Sequence, residues 1–328
     1  MKNYDDLPIY EKLFNKIYVY GQTIWKDKWE DGIVDEWLEN YIDSDKDLLI
    51  KEQINVLYLL SKFMYFGNKE LRQLLWSLYR DLFKYPIIES IRKENNNSTN
   101  LDFINNEFQK ELERSRFLGV GNPSESGIHL LYYFRQECKL SKEYFINFND
   151  IFVTKQVEET LNGGKRRPYL MSEIADKNIK RYIFIDDFCG SGSQATGYLK
   201  TIVKNIKFEN KDIEVNYFML FATEHGINEV RKLELFNTVD AVYTIDESFR
   251  TFSDNSRYFI FVPNEQIEKE FSKNTCLKYG QKLFFPPLGY GNCQLLLGLF
   301  HNTPDNTLPI FWSEVNEWKP IFKRYPKF

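Results

Sequence analysis

The chain has 328 residues, with 43 Lys and Arg against 47 Asp and Glu, for a formal net charge of −4. That length holds one large domain or two modest ones, and the charge balance excludes a chain-wide basic footprint for nucleic acid. Hydrophobic residues make up 43 % and aromatics 17 %, which excludes global disorder and supplies a large core.

The N-terminus carries Asp5, Asp6 and Glu11 where a secretory signal needs a basic flank and an apolar run, so it does not read as one. Residues 1–92 carry the helical period. Leu71, Leu74, Leu75, Leu78, Tyr79, Leu82 and Phe83 form one apolar stripe, and Pro86 is expected to disturb that helix near Tyr85. Ser44 followed by Asp47 reads as a capping arrangement opening an earlier helical run, through Leu48, Ile54, Leu57, Phe63 and Met64. Trp25, Trp29 and Trp37 lie among charges and read either as packing or as an exposed contact surface. The polar run 94–100 is a linker, a short helix is expected over 101–116, and a soft domain boundary falls near residue 95.

Residues 119–127, Gly-Val-Gly-Asn-Pro-Ser-Glu-Ser-Gly, precede an apolar helical run. They form a helix N-terminus suited either to an anion or to ordinary capping. Residues 162–168, Asn-Gly-Gly-Lys-Arg-Arg-Pro, read as a flexible basic loop. Three short apolar runs follow, at 181–186, 215–222 and 241–245, with helix-length segments between them. That alternation predicts an α/β fold with a parallel, doubly covered sheet, whose ligands sit beyond the carboxyl ends of the strands.

The most informative stretch is Ile183-Phe-Ile-Asp-Asp-Phe-Cys-Gly-Ser-Gly-Ser-Gln-Ala195. A strand runs into two carboxylates, then a small-residue loop, then a helix. Loop amides and the helix N-terminus make a phosphate cradle. Asp186 and Asp187, expected at the strand end and facing the crevice, suit sugar hydroxyls or a magnesium ion. Sugar grip beside phosphate cradle describes a ribose 5-phosphate site.

Asp186-Asp187, Phe188-Cys189-Gly190 and Ser191-Gly192-Ser193 resemble the phosphoribosyltransferase motif, with Gln194 in place of its usual closing hydroxyl residue. The resemblance implies phosphoribosyl pyrophosphate (PRPP) with magnesium as cofactor, and transfer or cleavage at ribose C1. Asp186 and Asp187 would act on the ribose and the metal, and Gly190, Ser191, Gly192, Ser193 and Gln194 would hold the 5-phosphate. Pyrophosphate candidates are Ser124, Ser126 and Gly127, with Lys165, Arg166 and Arg167 closing over the leaving group. Residues 288–312 resemble the closing segment of phosphoribosyltransferase-like proteins from bacterial conflict and antiphage gene clusters. That likeness implies a defence effector, with a partner protein of such a system. His301 is either an acid/base candidate or structural, and Tyr290, Phe300, Phe311 and Trp312 either stack a base or form core. The domains expected are a helical region over 1–95 and a phosphoribosyltransferase-like α/β domain over 96–328.

Two other classes share features of this loop. Phe188-Cys-Gly-Ser-Gly-Ser193 resembles the first motif of S-adenosylmethionine-dependent DNA methyltransferases, but the only Pro-Pro, at 286–287, has the wrong flanks for their second motif. A non-catalytic nucleotide sensor would keep the 186–194 loop. Cys138, Cys189, Cys276 and Cys293 show no CxxC pair, so a reducing cytoplasm is the expected location. Three histidines argue against a zinc site, and no apolar run reaches the about 18 residues of a membrane span.

Overall fold

The computed structural model describes residues 8–121, 126–160 and 166–325. Two compact units divide the chain: Met1–Leu71 with Ile245–Phe328, and Arg72–Thr244. Neither edge falls at the expected residue 95. The N-terminal helices are completed by the C-terminal segment, which joins them in one unit.

In that first unit, α1 (Ile9–Thr23), α2 (Ile33–Leu38) and α3 (Lys46–Leu60) precede a short strand, β1 (Met64–Phe66). The α3 cap is Asp45 and not Ser44: its carboxylate accepts from the Asp47 and Leu48 amides at 2.9 and 3.2 Å. β1 pairs in parallel with a strand near the other end of the chain, Leu297–Leu299, described below as β8. The aromatic set of this unit is core. Trp25 and Trp37 are fully buried, Trp37 Nε1 donates to the Ile310 carbonyl at 2.7 Å, and Phe63 stacks on Phe322 at 4.1 Å. The exposed-surface alternative for Trp25 and Trp37 is thereby excluded.

The helix α4 (Asn68–Ser77) continues through a π-helical turn, Leu78–Lys84, into α5 (Tyr85–Glu94). Pro86 lacks an N–H and its ring crowds the carbonyl four residues back, so the chain widens just before it: the Tyr85 N–H donates to the Arg80 carbonyl, five residues back. The disturbance expected at Tyr85 is this turn, not a break.

The second unit is built on a four-stranded sheet. After α6 (Leu101–Glu113) come β2 (Ser115–Gly119), α7 (Ser126–Glu137), a β3 (Phe152–Thr160) and β4 (Arg166–Ile174) hairpin, β5 (Arg181–Cys189), α8 (Ser193–Glu209), β6 (Glu214–Thr223), α9 (Glu224–Arg231) and β7 (Thr238–Ile245). The order is β2-β5-β6-β7, with β2 parallel to β5 and β5 parallel to β6. The helix expected over 101–116 stops three residues early because 115–119 enter the sheet.

Ala195, Leu199, Val203 and Ile206 place an apolar stripe of α8 on one sheet face, over Phe184, Tyr217 and Met219. On the other face Phe117 meets Phe83 at 5.0 Å and Phe134 at 5.2 Å, edge to face. The sheet is thus covered on both sides, which is why its strands read as continuous apolar runs. The first unit closes with α10 (Lys269–Gly280) and β8 (Leu297–Leu299). Leu295, Leu296, Leu297 and Phe311 are buried there, in the unit of the N-terminal helices.

Candidate functional site

The site begins with β5. This strand runs three residues beyond Asp186, to Cys189, and Asp186 pairs with Met219 inside the ladder. Asp186 is therefore within the strand and 1 % exposed, not at a strand end facing a crevice. Its carboxyl is fully engaged: the Tyr217 hydroxyl donates to Oδ2 at 2.8 Å and the Asp187 amide donates to Oδ1 at 2.9 Å. Burial, and then the negative charge of Asp187 beside it, hold the Asp186 carboxyl well above the usual carboxylate range. Tyr217 and Cys189 share the pocket. Burial pushes the Cys189 thiol up to about 12, and burial together with Asp186 raises the Tyr217 hydroxyl.

Asp187 is half-buried, and its Oδ1 accepts the Phe188 amide at 2.8 Å. Of the two acids it is the one with surface to offer. The pair therefore divides into a buried acid that favours its proton and a solvent-reaching neighbour.

The loop that follows is held by short-range contacts. Gly192 caps α8 at φ +76°, a left-handed conformation that costs a side-chain-bearing residue. A Cβ there would stand 3.1 Å from the Gly226 carbonyl and 3.2 Å from Glu229 Cβ, so the loop lies against the start of α9. Thr223 locks this junction. Its hydroxyl donates to the Gly190 carbonyl at 2.5 Å and accepts the Gly226 amide at 2.9 Å, which caps α9. Ser191 and Ser193 share a hydrogen bond of 2.8 Å between their hydroxyls, with Ser193 exposed and Ser191 half-buried. Thr196 Oγ1 donates to the Gly192 carbonyl at 2.8 Å. The result is a tight turn at the N-terminus of a 17-residue helix, whose dipole favours an anion, with the Ser193 amide donating to Ser191 Oγ at 3.4 Å. Gln194 lies in the first turn of α8, and its side chain lies outside what the structure describes.

The upstream loop is placed only in part. Ser124 lies outside the described residues, and Ser126 opens α7. Gly127 has a packing reason of its own: a Cβ on Gly119 would meet its carbonyl carbon at 2.6 Å, and a Cβ on Gly127 would meet the Val120 amide at 2.9 Å. The end of β2 and the start of α7 thus touch backbone to backbone. Lys165 lies outside the described residues. Arg166 and Arg167 belong to β4, where they face Thr160 and Glu159 in the antiparallel register, so the flexible loop expected over 162–168 is strand from 166 onward. Their side chains are not described.

His301 belongs to the other compact unit and is half-buried. Phe311 and Trp312 are core in that unit, with Trp312 Nε1 donating to the Thr307 carbonyl at 2.8 Å. Base stacking is therefore not open to those two. The residue missed from sequence is Tyr217. It lies 31 positions from Asp186, and no local pattern joins them.

The chain matches the PRTase-CE family over residues 34–324 and belongs to that family. The match is not to a methyltransferase family. No curated protein matches the sequence. Among solved structures, it is similar to the AQ2163 protein from Aquifex aeolicus, with 12 % identity and TM-score 0.29, covering 67 % of this chain and 86 % of that one. It is also similar to the Helicobacter pylori xanthine-guanine-hypoxanthine phosphoribosyltransferase, at 8 % identity and TM-score 0.26, covering 56 % and 90 %. A third is the orotate phosphoribosyltransferase from Aeropyrum pernix, at 14 % identity and TM-score 0.23, covering 42 % and 64 %.

Proposed function

We propose that the β5–α8 loop binds the phosphoribosyl group of PRPP with magnesium, for transfer or cleavage at ribose C1. The single observation that carries this is the join of Asp187 to an anion-type turn: a half-buried carboxylate three residues before Gly190–Ser193, at a helix start. The 5-phosphate would take the loop amides with Ser191 and Ser193, and the ribose hydroxyls would donate to Asp187. Asp186 supports Asp187 from beneath and does not itself contact the sugar.

Magnesium fits this arrangement in one respect. Among the described residues no group of three His, Cys, Asp or Glu side chains stands together. A magnesium ion carried by substrate phosphates needs only one or two carboxylates, and Asp187 supplies one. When bound, the ion would neutralise charge on the departing pyrophosphate. Ser126, Gly127, Lys165, Arg166 and Arg167 remain the proposed pyrophosphate contacts, and His301 a proposed acid/base. A role as an antiphage effector acting with a partner protein rests on the resemblance of residues 288–312. Among the described residues, no helix is long and apolar enough to cross a membrane.

A second reading, binding without turnover, is favoured by one observation: Asp186 is buried and favours its proton, so a single carboxylate serves the ligand. Thermal unfolding separates the ligand classes. PRPP with magnesium at about 100 times its Kd adds about 2.7 kcal/mol to the native state, a rise of several degrees. S-adenosylmethionine should give none. Asp187→Asn should erase the PRPP shift, and its survival would sink the proposal. Pyrophosphate release then decides between transfer and sensing.

A further inference from the structure

The sheet of the second unit has a cleft at the end opposite the Gly190–Ser193 loop. It opens at the amino ends of β5, β6 and β7, beside Arg181, Asn216 and Thr238, and has a volume of about 830 Å³. Pockets for small molecules run from about 300 to 1,000 Å³. One wall is apolar, made by Phe83, Ile87 and Ile91 from the π-helical turn and α5.

The floor holds an unexplained polar group. Asn216 is 7 % exposed, it lines the cleft, and its Oδ1 accepts no hydrogen bond. A buried carbonyl oxygen without a donor lowers stability, and an apolar residue of the same size would remove that cost.

The rim sets the charge. Glu94, Glu107, Glu111, Asp212 and Glu214 stand against Lys177, Lys180 and Arg181. Arg181 is already shared between Glu214 at 2.6 Å and Glu111 at 3.2 Å. Three of these charges also pair with residues outside the cleft: Lys177 with Glu173 at 3.7 Å, Glu107 with Lys110 at 2.7 Å and Glu111 with Arg114 at 3.7 Å. Glu94 and Asp212 are exposed at the mouth. The cleft thus combines a buried acceptor, two acids at its mouth outside those ion pairs, Glu94 and Asp212, and an aliphatic wall. Its ligand must bring N–H donors, positive charge and a methylene body.

We propose that this cleft binds a short aliphatic polyamine. One amine donates to Asn216 Oδ1, another meets Glu94 or Asp212, and the methylenes lie along Ile87 and Ile91. The cleft shares no residue with the Asp186–Gln194 loop, so the proposal stands apart from the PRPP reading.

The test is calorimetric titration of the full chain with spermidine at physiological ionic strength. Saturable binding is expected. Asn216→Leu should weaken it by about tenfold or more while leaving melting unchanged or raised, because an unpaired buried acceptor becomes apolar. Glu94→Gln with Asp212→Asn should weaken it similarly. Both positions are exposed, so this double variant carries the test should Asn216→Leu fail to fold. Absence of binding overturns the proposal. So does binding equal in parent and double variant, which would mean diffuse attraction to an acidic chain. Adenine binding in place of spermidine, with the same dependence on Asn216, would overturn the amine class.

Discussion

Replacing Tyr217 by Phe removes the hydroxyl that donates to Asp186 Oδ2 at 2.8 Å and leaves the ring in place. Both residues are 1 % exposed, so no solvent replaces the lost donor. A buried acceptor stripped of its donor costs about 1–3 kcal/mol. In a unit of this size each kcal/mol is worth about 2–4 °C, so the variant should melt lower by about 2–12 °C. The loss should also depend on pH. The folded pKa of Asp186 lies above its unfolded value, so its contribution is fully present below the unfolded pKa and is lost as pH rises through the folded one. The Tyr217 hydroxyl favours the charged carboxylate, so without it the folded pKa climbs further. The destabilisation by Tyr217→Phe is therefore smallest in acid and grows as pH passes through the parent's folded pKa. Thermal unfolding of parent and variant, at acid and mildly alkaline pH, reads both effects. Asp186→Asn keeps the shape but cannot ionise, and should flatten the parent's pH dependence. Equal melting of Tyr217→Phe and parent at both pH values, or a loss independent of pH, would refute the assignment of Asp186 as a buried acid held by Tyr217.

Three other outcomes follow from the packing. Gly192→Ala forces a side chain into φ +76° and toward the Gly226 carbonyl. It should cost at least about 1 kcal/mol in melting and should blunt any PRPP shift. Phe322→Ala empties a site stacked on Phe63 at 4.1 Å and edge-on to Trp25 at 5.1 Å, and should cost about 3–5 kcal/mol in denaturant unfolding. Cys189, buried with its thiol pushed up to about 12, should resist iodoacetamide in the native protein and react only after denaturation, as read by mass spectrometry.

The strands at 181–186, 215–222 and 241–245 were legible because a sheet covered on both faces leaves its strands apolar throughout, as Phe184 and Met219 are. The strand–loop–helix of 183–195 was legible for a local reason: small residues and a left-handed Gly192 are needed where a strand turns directly into a helix. The family follows from the same residues and from the match over 34–324. β2 was not legible, since five residues with two apolar positions carry too little period to separate from the end of α6. Nor was the joining of 1–71 with 245–328. The β1–β8 pairing and the Phe63–Phe322 stack span more than two hundred residues, and pattern within a window cannot record them. The acids show the limit most plainly. Asp186 and Asp187 are adjacent and chemically identical, and only the register with Met219 and the reach of Tyr217 bury one completely while the other stays half-buried.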